Sequence, residues 1–557
     1  MDGMKTLNQP PRPESLRLEL PHLEPTRPEP SPPDPPRPDA TPFVHLHVHS
    51  NFSFLDGGSH IEDLVFRAAS LGQPALALTD HDGLYGAVRF AKACARLSIK
   101  PIFGAEVQVE PVLPHLAPPH SYHLVLLAET RAGYANLCRL LTAAHLAHPD
   151  RKQPPLVTLD SLRVHAEGLI CLTGCRQGEV GYLVDAGHAQ EARTVLLTLK
   201  EIFAEDRLYV ELQYFAYHPP APTTGHLRHL HPSDQEIGFY PDGRPWRLSC
   251  LTYCEQLGRL ASSCKLPLVF TNNVHYAEAS DLAIHLVCRA AGRDQPLSGY
   301  PENHLGTRYV KSKAELEAFA EPLLRLLRTW RPTDCSGEHL EGPPFTSTKS
   351  QLGPEGPTNL TNLDPPPTSD PLLVTWEIAK RCNVDLELGA FHFPQVPIPE
   401  GETAYSLLAK RCFKGITRRY KPVPPEAIKL LEKELRMIQE MGFAHYFLVV
   451  HDIVRWARAR GIPCSGRGSA GNSIVCYALD LTASDPLRHN LLFERFLNPY
   501  RREMPDIDVD FCSVRRDEVI EHIYKTFGPE NVAVVANVNT LSPRTAVRIV
   551  AEALGFA

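Results

Sequence analysis

Four short apolar runs between residues 43 and 128, FVHLHV, PALALT, KPIFGAEVQV and YHLVLLA, are interleaved with two stretches of helical spacing, Ile61 to Leu71 and Leu84 to Ser98. Strand-length runs that alternate with helical segments predict a parallel sheet or a β/α barrel, and so an α/β fold class. Chemistry in such folds gathers at the carboxyl ends of the strands. The first run adds a pattern of its own. In FVHLHVHSNFSFLDG, strand alternation sends His45, His47 and His49 to one side and Leu46 and Val48 to the other.

Metal-ligand residue types recur at the other expected strand ends: Asp56 in FLDG, Asp80 and His81 in TDHD, Glu106 in GAE, and His123 in SYHL. Cys175 in LTGC and His275 in TNNVH follow further along. Imidazole, carboxylate and thiolate are the donors of zinc- or manganese-type sites. A single such histidine is usually a hydrogen-bonded structural residue, so the expectation of a metal centre rests on the recurrence.

A second acidic pattern lies near the other end. In PDIDVDF, alternation places Asp506, Asp508 and Asp510 on one face and Ile507, Val509 and Phe511 on the other. Carboxylates so close repel one another unless a cation sits between them, and a pair of oxygen-ligated Mg²⁺ ions is the clamp used in phosphoryl and nucleotidyl transfer. The glycine-rich turn GRGSAGNS, residues 466 to 473, precedes it and opens a short helix. Glycines allow backbone amides close to phosphate oxygens, and a helix N-terminus adds positive dipole. Arg467, Gly468 and Ser469 are the candidate phosphate ligands.

Composition sets the remaining bounds. A chain of 557 residues is long enough for three or four domains. It contains no apolar run long enough to span a membrane, and the N-terminus lacks a basic start followed by an apolar stretch, so a cytoplasmic protein with no membrane partner is expected. Fourteen cysteines with no CxxC pair suggest buried thiols. The net charge of −7 gives no general affinity for nucleic acid, but Lys410 to Arg467 carries thirteen Lys or Arg against five Asp or Glu. Thirteen of the first 42 residues are proline, which predicts a disordered tail over 1–42. An insertion is expected at about 216–247 and a low-complexity linker or insertion at 331–371. Amphipathic helices are expected near 404–420, 425–441 and 446–460.

The segments HxHxxxS, TDHDGLYG, KPIFGAEV, YHLVLLA, LTGC and TNNVHY resemble the motifs of a PHP domain. That resemblance implies a distorted β/α barrel over 43–330 whose ligands would be His45, His47, Asp56, His81, Glu106, His123, Cys175 and His275, holding Zn²⁺ or Mn²⁺. The family's remaining ligand, usually an aspartate, is Asn273 here. His49 is expected to pack beside the site. The run from GRGSAGNS through LLFERFLNP to PDIDVDFC resembles the palm of the bacterial DNA polymerase III alpha subunit, the C-family polymerases. The AGNS continuation and the VANVNTL segment look closest to the error-prone branch. The resemblance implies a helical palm-proximal region over 372–460 and part of a nucleotidyltransferase-like α+β palm over 461–557. Asp506 and Asp508 would bind catalytic Mg²⁺, Asp510 would give structural support, and Arg495, Arg501 and Arg502 are candidate phosphate contacts. Implied partners are primer–template DNA, deoxynucleoside triphosphates, a completing C-terminal polymerase portion, and a sliding clamp or mutagenesis-complex proteins. The family's third catalytic aspartate lies far beyond the acidic strand, so the isolated chain is not expected to synthesise DNA. The competing readings are a PHP phosphoesterase or 3′ to 5′ exonuclease with a vestigial palm, and a non-catalytic scaffold.

Overall fold

The computed structural model describes residues 42–116, 121–148, 154–215, 246–293, 297, 307–329, 370–390, 395–497, 506–529, 531–535 and 537–556. Nearly all of the expected tail, the 216–247 insertion and the 331–371 linker lie outside the described residues, as do Arg501 and Arg502. The described chain forms two compact units, one running up to Leu386 and taking in residues 542–556, the other covering Glu387–Leu541. Among the described residues no helix is long and apolar enough to cross a membrane.

The first unit is built on a six-stranded sheet: β1 (Ala75–Leu78), β2 (Lys100–Val109), β3 (Tyr122–Ala128), β4 (Leu169–Leu172), β5 (Leu208–Gln213) and β6 (Leu268–Thr271), hydrogen-bonded in that order. Nearly every strand residue is buried, because helices cover the outer face. The expected helices form as Ile61–Ser70 and Ala87–Arg96. Two features differ from the sequence expectation. The sheet is mixed, since β3 runs antiparallel to both β2 and β4 while the other pairs are parallel. A parallel return needs a crossover of about a dozen residues or more, usually helical, and the described part of this connection, residues 110–116 and 121, carries no helix.

The run FVHLHV is the second difference. It forms no continuous ladder and makes one isolated bridge, Val48 to Val274. Its backbone alternates between two neighbours: Ala77 N donates to His45 O (2.9 Å) and Thr79 N to Val48 O (2.8 Å), while Val274 N donates to His47 O (2.9 Å) and His49 N to Val274 O (2.7 Å). The segment therefore ties β1 to the residues after β6, joining the two ends of the sheet. That linkage brings the loops after β1, β2 and β6 to one rim.

In the second unit three helices, Ala404–Arg419, Pro425–Glu440 and Ala444–Ala459, pack around the short helix Ile474–Ala478. In the middle helix Ala427, Leu431, Leu435 and Ile438 are buried on one stripe, the spacing a core-facing helix requires. Beside them lies a two-stranded antiparallel ribbon, β7 (Cys464–Arg467) with β8 (Asp508–Phe511), in which Arg467 faces Asp508 and Ser465 faces Asp510.

Candidate functional site

The rim of the first unit gathers five imidazoles around two carboxylates. His49, His81 and His275 bring ring nitrogens within 4.8 Å of one another, and His47, His49 and Glu106 do the same. Asp56 Oδ2 lies 2.9 Å from His81 Nε2 and 3.1 Å from His275 Nε2. Glu106 Oε2 lies 2.8 Å from His47 Nε2, and Oε1 lies 3.0 Å from His81 Nδ1 and 2.7 Å from His123 Nδ1. Cys175 joins through a hydrogen bond with the side chain of His123. Asp80 stands apart from these donors. Its carboxylate accepts from Ser50 N (2.7 Å), Ser50 Oγ (2.8 Å) and Ser53 Oγ (2.7 Å), fixing the turn that presents His49.

His45 and His49 exchange their expected places. The ring of His45 is held by the backbone of Lys311, whose N–H lies 3.1 Å from Nε2, and burial drives its pKa down to about 3. It reaches none of the clustered donors. His49 instead stands at the centre, its Nε2 3.1 Å from His47 Nε2 and its Nδ1 3.1 Å from Ser53 Oγ. Of the three histidines in the run, His47 and His49 thus join the cluster of donors and His45 does not. The reason is length: each two-residue step advances an extended chain by roughly 6.6 Å, so a rim at one end admits the last two histidines and leaves the first behind.

The second layer is as ordered as the first. Glu211, fully buried on β5, lies 2.7 Å from His47 Nδ1 and also accepts from Gln213 Nε2 (2.7 Å) and the Thr271 hydroxyl. A carboxylate on one imidazole nitrogen fixes the ring so that the other faces the ligand, as behind many metal-binding histidines. The Asn273 backbone carbonyl does the same for His275 Nδ1 at 2.8 Å, while the buried Oδ1 of Asn273 makes no hydrogen bond. Arg289 holds Asp56 Oδ1 at 2.8 Å.

Burial works against every charge here, and the charges answer one another. His47 is buried but flanked by Glu211 and Glu106, which raise its pKa to about 9; Glu106 raises that of His123 to about 10. Asp56 and Glu106, although buried, are held well below the usual carboxylate range, Asp56 by His275 and Arg289 and Glu106 by His123 and His81. Burial and the neighbouring His81 and His275 keep His49 neutral. Protons on imidazoles thus balance the carboxylates, and a divalent cation is the usual replacement for them. Glu106 Oε1 sits close to two imidazole nitrogens without the alignment of a hydrogen bond. That convergence of buried nitrogen and oxygen donors fits a metal ion.

In the second unit the strand alternation is as expected: Asp508 and Asp510 are exposed, Val509 and Phe511 half-buried. Gly468 has φ +64°, the left-handed region, and a Cβ built on it would lie 3.4 Å from Asp508 Oδ2. Ser469 Oγ donates to Asp506 Oδ1 at 3.4 Å. Both carboxylates therefore border the glycine turn. Gly466 permits the close approach of the ribbon to Leu481, since a Cβ there would stand 2.5 Å from Leu481 O. Buried Glu434 anchors the far side of the turn, accepting from Ser473 Oγ (2.7 Å), Ile474 N (3.1 Å) and Val475 N (3.1 Å). Arg467 lies 3.2 Å from Asp510, both side chains exposed. Arg495 falls in a single 3-10 turn, Phe493–Arg495.

The PHP domain family matches residues 45–214, and the bacterial DNA polymerase III alpha NTPase domain family matches residues 406–557. The error-prone DNA polymerase of Symbiobacterium thermophilum is 36% identical over 534 residues, covering 92% of this chain and 41% of that protein. The error-prone DNA polymerase of Mycobacterium tuberculosis H37Rv is 36% identical over 518 residues, with 92% and 40% covered. DNA polymerase III subunit alpha of Treponema pallidum is 34% identical over 521 residues, with 92% and 38% covered. The chain is thus similar to a PHP domain over its first half, to the polymerase III alpha NTPase domain near its end, and to these polymerases over nearly all of its own length. It spans about two fifths of the length of these relatives.

Three residues of the cluster were not foreseen from the sequence. His49 was visible in the alternation but lost in the choice of register. Glu211 had a signal, an acid within the buried apolar run LYVELQ. Arg289 had none, because a helical arginine reads as a solvated one.

Proposed function

We propose that this chain supplies the PHP domain and the first part of the palm of an error-prone C-family DNA polymerase, acting on primer–template DNA and deoxynucleoside triphosphates. The observation that carries the reading is the placement of Asp506 and Asp508 against one glycine turn, at Ser469 and Gly468 respectively. Two such carboxylates would hold Mg²⁺, and Arg467, Gly468 and Ser469 would receive the triphosphate. Bound Mg²⁺ supplies activation of the primer 3′ hydroxyl and neutralisation of phosphate charge. The chain's own residues set the frame: β8 alternation points the carboxylates outward, the positive φ of Gly468 bends the turn toward them, and Glu434 fixes the helix behind it. Arg467 is held by Asp510 in a pair that exposure makes weak, so a phosphate can compete for it.

The test is primer extension by the polymerase that contains this chain. Asp506→Ala and Asp508→Ala are each expected to abolish incorporation while the circular dichroism spectrum is retained. Synthesis that survives both changes would contradict the assignment.

A second reading is favoured by the histidine cluster. Its donor set suits a metal-dependent phosphoesterase, with Glu211 orienting His47 and Arg289 holding the outer oxygen of Asp56. Hydrolysis of a phosphoester by the metal-loaded chain, lost in His81→Ala, would support it; activity indifferent to His81 would rule it out.

A further inference from the structure

The helix Leu282–Arg293 carries residues of different character on its two sides. His285, Arg289 and Gly292 follow one another at steps of four and three and so share a stripe, while Leu286, Val287 and Ala290 lie on the other side. The first stripe grips the loop that presents Asp56. His285 Nδ1 lies 2.6 Å from the Asp56 backbone carbonyl oxygen, and its ring centroid stands 4.9 Å from that of His275. Arg289 donates to Asp56 Oδ1 at 2.8 Å. Two glycines permit the close approach: a Cβ on Gly58 would stand 3.1 Å from His285 Cβ, and one on Gly292 would stand 3.1 Å from Leu55 Cβ.

The second stripe meets the helix Pro543–Ala553, which lies within the same compact unit. Ala290 and Ala553 are buried there, with Leu286 and Val287 half-buried beside them. Ala553 is the one buried residue of its helix, and Val547 and Val550 are exposed. The seat is therefore shallow, and an element held by so little apolar area opens at low free energy. Asp56 has one oxygen on each side of this arrangement. Oδ1 is taken by Arg289, and Oδ2 faces His81 Nε2 and His275 Nε2, where an ion would bind. A carboxylate anchored at one oxygen presents the other in a fixed direction, so an ion meets it already ordered. Release of the Pro543–Ala553 helix exposes Leu286, Val287 and Ala290 to water and removes what backs the Leu282–Arg293 helix against the Asp56 loop.

We propose that seating of the Pro543–Ala553 helix tightens the binding of a divalent cation by the histidine cluster, with Arg289 and His285 as the positioning residues that carry the effect to Asp56. This rests on reading the cluster as a metal centre. Linkage makes the effect reciprocal: the factor by which the seated helix tightens metal binding is the factor by which bound metal favours the seat.

The first readout is the Mn²⁺ affinity of the full chain, followed by electron paramagnetic resonance of the free ion. Ala553→Glu places a carboxylate against Ala290 and is expected to weaken Mn²⁺ binding about fivefold or more. Leu554→Glu, at an exposed neighbouring position, is expected to bind Mn²⁺ as the wild-type chain does. The second readout is amide hydrogen exchange over 544–553, which needs no change in that helix. Bound Mn²⁺ is expected to slow this exchange in the wild-type chain, and not in Arg289→Gln at saturating Mn²⁺. A merely structural role for Arg289 would leave the slowing in place. Equal Mn²⁺ affinity of Ala553→Glu and the wild-type chain, or wild-type exchange over 544–553 indifferent to Mn²⁺, would overturn the proposal. Uptake by the wild-type chain separates the failures: no Mn²⁺ uptake removes the metal centre and the coupling with it, whereas uptake indifferent to Ala553→Glu removes the coupling alone.

Discussion

His45 and His49 have the same side chain on the same run, and distance alone gives them different work. His49→Ala and His47→Ala are each expected to lose bound Mn²⁺ in metal analysis after dialysis, whereas His45→Asn keeps it and loses stability. Retention of metal by His49→Ala would contradict the placement. Glu434 makes a second prediction at this scale. Burial, opposed by three hydrogen-bond donors, raises its pKa from 4.5 to about 7. Between those values the folded state keeps a proton that the unfolded state has released, so stability falls as pH rises through the window and stays reduced above it. The difference corresponds to on the order of 3 kcal/mol. Denaturant unfolding from pH 4.5 to 7.5 should show that slope in the second unit, and Glu434→Gln should flatten it. Glu434 was illegible in the sequence, because its partners Ser473, Ile474 and Val475 lie far along the chain and only tertiary packing brings them in.

The strand β8 was the most legible element, since alternating carboxylates and apolar residues specify a strand and both its faces, whereas its partner β7 was hidden in what reads as a glycine-rich turn. Its fit to the glycine turn gives a further prediction. Gly468→Ala places a Cβ at positive φ and should destabilise the second unit by about 1–2 kcal/mol while weakening triphosphate binding. Gly466→Ala drives a Cβ onto Leu481 O and should cost more, about 1–3 kcal/mol, with loss of the ribbon. Both are read by thermal melting; a neutral Gly466→Ala would show that the ribbon does not depend on that approach. The antiparallel course of β3 was legible in principle from the four prolines between Val109 and Tyr122, which disfavour a helical crossover. The first histidine run was harder, because a segment that bonds alternately to two neighbours has strand composition without a strand's ladder.

Each unit carries its own apolar core, one around the six-stranded sheet and one around the helix Ile474–Ala478. Both units were foreshadowed by motif order. Neither core could be read residue by residue, since long-range pairings decide burial; the packing of Ala553 against Ala290 and Leu286 is an example. Chelation is expected to lower the stability of the first unit by an amount set by mass action, about 2.7 kcal/mol at a hundredfold excess of metal over its dissociation constant, read by denaturant unfolding with and without chelator. The central claim is tested most directly by anomalous diffraction from crystals soaked with Mn²⁺ and a deoxynucleoside triphosphate. The expected result is an Mn²⁺ peak shared by Asp506 and Asp508 with triphosphate density on the turn at Gly468 and Ser469. A triphosphate bound elsewhere, with no ion on those two carboxylates, would contradict it.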